Sequence, residues 1–341
     1  MKTMTSENPS PTQQLFAAIN GHWITQVIGT VARLGIADLL AGGARDSDSL
    51  AAELGLHPGA LFRLMRGGIT AGLFTAASER TFALTPMGEG LRADVPGSLR
   101  AVAIMQSDKS HWLPWGLLTE AVRTGRAPVQ AALGCDIWEH FARNPDEAEH
   151  FAQAMGNLSG LVGSELTHHI DFAPFARVAD IGGSHGDLLS QVLRAQPSCQ
   201  GILFDLPKVA EGAKAALESR GLTSRVDVVT GSFFEPGIPA ADAYLLKHIL
   251  HDWEDDASIT ILRRIHEAAP SGARLFVLEM VIPDNRNPDP SHLMDLNMLV
   301  LADGRERTRD EFQALFTATS WRVERILPTR SGASIIETVK A

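Results

Sequence analysis

The chain has 341 residues, 45% of them hydrophobic and 21% charged, with a formal net charge of −10. That length accommodates two domains with sizeable cores, and the acidic balance (pI near 5.6) leaves no excess of Lys and Arg to neutralise phosphates, which argues against nucleic acid as the main partner. No stretch reaches the roughly 18 uncharged apolar residues of a membrane span, and the two cysteines, Cys135 and Cys199, lack metal-ligand spacing and read as small buried hydrophobes of a reduced, cytoplasmic protein.

In chain order, MKTMTSENPSPTQQ has no apolar stretch of the kind a secretory leader needs, and residues 1–14 read as a loose tail. Residues 15–100 form a first module without a buried parallel strand. WITQVIGTVARLGIADLL carries apolar residues at a spacing of three to four and is predicted to be a helix. Ser47 or Asp48 can cap a short helix over AAEL, Gly55 stops it, and Pro58 opens the next helix, ALFRLMRGGITAGL. TAASERTFALT reads as two short strands around a polar turn. Helix, tight turn, helix and β-wing together make a winged-helix-like pattern. Its helix over ALFRLMRGGITAGL offers only Arg63 and Arg66 as cations, so a structural or dimerising role outweighs DNA binding.

Residues 101–175 read as helical. HWLPWGLLTEAV and the long run from Asp136 to Ile170 are amphipathic and carry Trp112, Trp115, Trp138, Phe141, Phe151 and Met155. Most of such a stripe packs helix on helix; a minority can line a pocket for a flat apolar ligand.

From residue 176 to 341 strands alternate with helices. RVADIGG, CQGILFDLP, RVDVVTGSFF, DAYLLKHILHD and ARLFVLEMVI are strands, with helical patterns between most of them. The expected fold class is therefore α/β, a parallel sheet with helices on both faces, in which ligands bind at the carboxyl ends of the strands.

At the first of those ends stands Asp180-x-Gly182-Gly183-Ser184-x-Gly186. Glycines there permit a tight turn and close approach of a ligand to bare backbone. Asp205, about 20 residues on at the end of the second strand, suits an acid that holds ribose hydroxyls. A nucleoside-bearing cofactor follows, and NAD and S-adenosylmethionine both fit this much. The fourth strand then runs into His248, His251 and Asp252, and Glu279 and Glu306 come later. Histidines and acids beside a cofactor cleft form an acid–base constellation.

LLKHILHDW, LFDLP, VLEMVIP and DLNMLVLADGRERTRDEF, in that order and spacing, resemble the S-adenosylmethionine-dependent O-methyltransferases of the caffeic acid and carminomycin O-methyltransferase type. The resemblance covers nearly the whole chain. It implies a Rossmann-like methyltransferase domain behind an N-terminal, mostly helical, winged-helix-like dimerisation domain, a homodimer, and S-adenosylhomocysteine as product. By the same resemblance His251 corresponds to the general base and Glu279 and Glu306 to the acids that flank it. Asp180, Gly182, Gly183, Ser184, Asp205, Leu206, Ser232, Phe233 and Lys247 fall at the cofactor site. Trp112, Phe151, Met155, Asp252, Met294, Asn297 and Met298 fall at the acceptor pocket. Two positions depart from the family pattern: Ser184 replaces the middle glycine of the turn, and Ser232 replaces an acid near the adenine.

The acceptor class follows from acidity. A phenol has a pKa of about 10 and a free imidazole about 6.5, so full proton transfer before attack costs about 5 kcal/mol, which a carboxylate beside His251 reduces. An aliphatic alcohol is a far harder acceptor, so an aromatic small molecule with a phenolic or enolic hydroxyl is expected. Two alternatives stand beside this reading: the same fold doing other chemistry such as hydroxylation or cyclisation, and a winged-helix regulator that senses a nucleoside. A metal is not expected, because His248 and His251 have no third ligand at suitable sequence spacing. His168 and His169 read as a solvated helix end, and Asp255 and Asp256 as a charge pair at a helix N-terminus.

Overall fold

The computed structural model describes residues 9–341. Residues 1–8 of the expected tail lie outside the described residues, and the rest of that segment is not loose. Ser10 and Gln13 cap each other reciprocally and start a helix, Pro11–Ile19. The chain divides into two compact units, one ending at Lys109 and one beginning at Ser110.

In the first unit the helix expected over Trp23–Leu40 is two. Gly35, at φ +66°, separates Gly21–Arg33 from Ile36–Leu39. The next helix, Ser47–Leu54, is capped not by Ser47 or Asp48 but by Asp46, whose carboxylate accepts the N–H groups of Asp48 and Ser49. Gly55 ends it in a left-handed conformation and Pro58 opens Pro58–Thr70. Strands β1 (Arg45–Asp46), β2 (Phe74–Ala76) and β3 (Thr81–Leu84) form an antiparallel sheet in the order β1-β3-β2. Val31, Ile36, Leu50, Met65, Phe74 and Phe82 make the core of this unit. The helix Arg100–Ser107 belongs here as well, tied back by Arg33, which meets Asp108 at 2.6 Å.

The second unit is built on a seven-stranded sheet. Its strands are β4 (Arg177–Ile181), β5 (Gln200–Asp205), β6 (Val226–Thr230), β7 (Ala243–Lys247), β8 (Arg274–Glu279), β11 (Trp321–Pro328) and β12 (Ser334–Lys340). Between β8 and β11 the chain adds a short parallel pair, β9 (Val281–Ile282) and β10 (Arg307–Thr308). The main sheet runs β11-β12-β8-β7-β4-β5-β6. It is parallel from β8 to β6, and β12 is antiparallel to both its neighbours. Successive residues enter opposite faces: Val178, Leu203, Leu245 and Phe276 pack on one side, Ala179, Ile202, Leu246 and Val277 on the other. Burial on both faces explains why these strands read as unbroken apolar runs.

The chain leaves β4 toward β5 and β6, then returns to place β7 on the other side of β4. That reversal opens a crevice at the carboxyl ends of β4 and β7, where open α/β sheets bind ligands. Among the described residues no helix is long and apolar enough to cross a membrane.

Candidate active site

The turn after β4 is shaped by absence of side chains. Gly182 sits at φ +70°, and a Cβ there would lie 2.6 Å from Ile249 Cδ1. At Gly183 a Cβ would lie 2.7 Å from the Asp180 carboxyl carbon. Ser184 holds a left-handed conformation, φ +51°, without glycine's freedom. Its N–H donates to Asp205 Oδ2 at 2.8 Å, and the Leu206 N–H donates to Asp205 Oδ1 at 2.7 Å. Asp205, at the end of β5, thus braces the glycine turn. Asp180 is buried with Oδ2 unpartnered. Burial, opposed by Lys247, pushes its carboxyl up to about 7, and burial pulls Lys247 down to about 8. Ser232 Oγ accepts the Phe234 N–H at 3.3 Å. Phe233 packs edge-on against Phe234, with ring centroids 4.9 Å apart, while Leu206 is exposed.

The turn after β7 carries the histidines. His248 and His251 do not share a helix face. His248 is left-handed at φ +53°, and Leu250–Asp252 form one 3₁₀ turn. Four distant groups fix that turn. Glu279 Oε1 accepts the N–H groups of Ile249 and Leu250 at 3.0 and 2.9 Å. The Arg305 N–H donates to the His251 carbonyl at 2.8 Å. Glu306 Oε1 lies 2.8 Å from His251 Nδ1. Arg307, fully buried, donates to the carbonyls of Leu250 and Trp253 at 2.8 and 2.7 Å and pairs with Asp255. Asp255 is therefore more than a helix N-terminal charge.

His251 is 8% exposed. Its Nδ1 faces Glu306 and, at 3.5 Å, Glu279 Oε2; its Nε2 lies 3.6 Å from Asp252 Oδ1. Burial opposes its charge, but Glu279, Asp252 and Glu306 together outweigh burial and raise the imidazole to about 10. His248 goes the other way, to about 4, through burial and the Lys247 charge. The two rings stack with centroids 5.0 Å apart. Glu279, although buried, is held below the usual carboxylate range by the histidines and the N–H groups it accepts. Burial raises Asp252 to about 6. An imidazole with Nδ1–H donated to a carboxylate keeps Nε2 free to take a proton.

The structure brings Asp180, Gly182, Gly183, Ser184, Asp205 and Lys247 to the ends of β4, β5 and β7, and His251, Glu279 and Glu306 into one cluster. The acceptor-side residues are more scattered in their contacts. Phe151 stands in a ring cluster with Phe141 (4.9 Å) and His111 (6.1 Å). Asn297 Oδ1 accepts the Trp115 indole N–H at 2.9 Å, and its amide N lies 3.8 Å from Met294 Sδ. Met298 is buried, and Trp112 and Met155 are half-buried. Sequence reasoning missed Arg307, Arg305 and Asp295, whose carboxylate accepts the Glu306 N–H at 2.9 Å. A basic residue directly after Glu306 in GRERT was the available signal.

Residues 115–322 match the O-methyltransferase domain, and residues 16–93 match the O-methyltransferase dimerisation domain. The chain is 38% identical over 323 residues to the phenazine O-methyltransferase of Lysobacter antibioticus, covering 95% of this chain and 94% of that one. The crystal structure of LaPhzM superposes with a TM-score of 0.93 at 37% identity, covering 98% and 100% of the two chains. An O-methyltransferase from neocarzinostatin biosynthesis, solved with S-adenosylmethionine and 2-hydroxy-5-methyl naphthoic acid, gives a TM-score of 0.78 at 32% identity, covering 93% and 96%. The residues at the carboxyl ends of β4, β5 and β7 fit such a cofactor: a bare glycine turn admits it, the Asp205 carboxylate closes that turn at the end of β5, and Asp180 keeps an unpartnered oxygen.

Proposed function

This chain belongs to the O-methyltransferase family and uses S-adenosylmethionine, and from that premise we propose that it methylates a phenolic or enolic hydroxyl of an aromatic small molecule of secondary metabolism, with His251 as general base. The observation that carries the assignment is the buried His251 Nδ1–Glu306 Oε1 contact of 2.8 Å beside the cofactor crevice. Bound S-adenosylmethionine supplies a methyl group already activated on a sulfonium. What remains for the chain is to orient the acceptor and to hold its proton. Glu306 fixes the ring and its tautomer, Glu279 fixes the turn beneath it, and Nε2 is the atom left to receive the proton. An imidazole raised to about 10 is matched to a phenol of about 10, so transfer between them is near thermoneutral. Having that imidazole neutral at pH 7 costs about 4 kcal/mol, which fits within an ordinary enzymatic barrier. Aliphatic alcohols fall outside this match.

On the acceptor side, Phe151, Met155 and Trp112 supply apolar and aromatic surface, and Met294, Asn297 and Met298 supply a second wall on the helix Pro290–Leu301. On the cofactor side, Asp205 is assigned to the ribose, Ser232, Leu206 and Phe233 to the adenine region, and Gly182, Gly183, Ser184, Asp180 and Lys247 to the remainder. A homodimer through residues 16–93 is supported by the dimerisation match and by Leu15, Phe16, Ile19 and Trp23, each about 60% exposed in the single chain. Within that dimer we place the enzyme in the cytoplasm, with no nucleic-acid or membrane partner.

Calorimetric titration with S-adenosylmethionine, S-adenosylhomocysteine and NAD, followed by a screen of phenols, aromatic amines and aliphatic alcohols with labelled methyl donor, tests the assignment. Binding of the two sulfur nucleosides alone and methylation of phenols are expected. Turnover retained by His251→Ala would remove His251 as the base, and transfer confined to amines would replace the acceptor class.

A further inference from the structure

We propose that His248, His251 and Glu279 form an inhibitory zinc site, in which Zn²⁺ bound through His248 Nδ1, His251 Nδ1 and Glu279 Oε2 switches the enzyme off. One donor atom of each residue lies within 4.8 Å of the others. Glu279 Oε2 is 3.5 Å from His248 Nδ1 and 3.5 Å from His251 Nδ1. Ligands about 2.0–2.1 Å from a tetrahedral zinc lie about 3.4 Å apart, so these separations are close to those of a bound ion. His248 Nδ1 and Glu279 Oε2 are both buried without a hydrogen-bond partner, an uncommon condition for polar atoms that a ligand would satisfy. Glu306 Oε1, 2.8 Å from His251 Nδ1, stands ready as a fourth donor. Two imidazoles with a carboxylate suit zinc better than magnesium or calcium, which prefer all-oxygen sites. The rings are 27° from parallel, so coordination asks each to turn slightly.

Binding is a tautomer exchange: one Zn²⁺ takes Nδ1 of the neutral His251 imidazole, and the ring proton that Nδ1 shared with Glu306 is carried through solvent to Nε2. With the metal on Nδ1, the ring proton sits on Nε2, and His251 can no longer accept one from the acceptor. The ion therefore opposes the reaction and is no cofactor of it. Inhibition in this form rests on His251 being the base; the binding itself does not.

The test uses the full-length protein and zinc buffered with a weak chelator, with Co²⁺ as a spectroscopic substitute. One zinc per chain is expected, with a tetrahedral cobalt spectrum. His248→Asn, which tolerates the left-handed backbone, and Glu279→Gln, which still accepts the Ile249 and Leu250 N–H groups, should each weaken zinc at least tenfold. Zinc should lower turnover, excess S-adenosylmethionine should not relieve it, and a strong chelator should. Absence of stoichiometric zinc, or full affinity in both variants, overturns the site. Binding lost in the variants but without inhibition in the wild type confirms the site and removes His251 as the base.

Discussion

Glu306 and Arg307 are neighbours in sequence and grip the same turn at different points. The carboxylate takes His251 Nδ1 at 2.8 Å, while the guanidinium takes the carbonyls on either side of the histidine segment, those of Leu250 and Trp253. One residue fixes the ring and the other fixes the backbone that bears it. The relation is rigid because Arg307 is fully buried and planar, with its remaining donors on Asp255 and Ser258.

Arg307→Lys retains the charge but not the fork, and Arg307→Met removes both. The methionine variant takes the short guanidinium donors from two carbonyls and leaves them only the Ser258 hydroxyl at 3.3 Å, and a buried polar group that loses its partner costs about 1–3 kcal/mol. A loss of ~2–5 kcal/mol in a urea melt is expected for Met, and a smaller one for Lys. Both should lose turnover at least tenfold, with affinity for S-adenosylmethionine changed less than threefold by calorimetry. Equal losses in turnover and cofactor affinity would point to general unfolding instead of misplacement of His251.

The raised His251 imidazole gives pH dependence a definite sign. Its folded value, about 10, lies above an unfolded value near 6.5. The stability it contributes is complete below 6.5 and is lost as pH rises through about 10. Wild type should therefore exceed His251→Gln in stability by more than 1 kcal/mol at pH 6.5, and the gap should shrink steadily to pH 10. The comparison of two proteins cancels the opposite trend from Lys247, whose value is lowered. With His251 as the proposed base, acceptor kcat/KM should rise with pH over the same window, because only the neutral imidazole accepts a proton. A gap that does not change with pH would show that His251 is not raised.

Much of this was legible because it is local or periodic. The β4, β5, β7 and β8 strands announce themselves as apolar runs, with Asp180 next to last in β4 and Asp205 and Glu279 ending β5 and β8. His251 and its two acids stand in motifs that the family resemblance identifies. What was hidden depends on distant partners. Arg307 looks like a surface charge until the structure puts it under the 250–253 turn. Glu279 looks like a strand-end acid, yet its first task is to bind the Ile249 and Leu250 N–H groups. The zinc-ligand geometry was invisible for the same reason: the third donor comes from the next strand in the sheet. Gly35 split a helix that apolar spacing alone runs straight through, and the Ser10–Gln13 cap was overlooked as part of a polar tail.

Ser184 carries a conformational penalty that glycine would not. A left-handed residue with a Cβ costs roughly 1–2 kcal/mol, offset in part by the greater entropy that glycine loses on folding. Ser184→Gly should raise stability by about 0.5–1 kcal/mol in thermal or urea melts. Its N–H to Asp205 is a backbone bond and survives the change. If the side chain also touches the cofactor, S-adenosylmethionine affinity falls in the same variant; an unchanged affinity assigns Ser184 to the turn alone.

Gly304 is the position where least can be added. A Cβ there would overlap the His251 carbonyl oxygen and lie 2.8 Å from the Asp252 carbonyl carbon, both backbone atoms that cannot swing aside. The missing side chain lets residues 304–307 lie against the histidine turn, so that the Arg305 N–H reaches the His251 carbonyl and Glu306 reaches the ring. Gly304→Ala must lift that strap. Overpacking of this kind costs about 1–3 kcal/mol, but the displacement falls on the His251–Glu306 contact, where a shift of about 1 Å is worth a hundredfold in rate. Turnover is expected to fall about a hundredfold while S-adenosylmethionine, which we assign to the β4 and β5 turns, binds within threefold of wild type. Turnover near wild type in Gly304→Ala would mean that the strap does not set the position of the base.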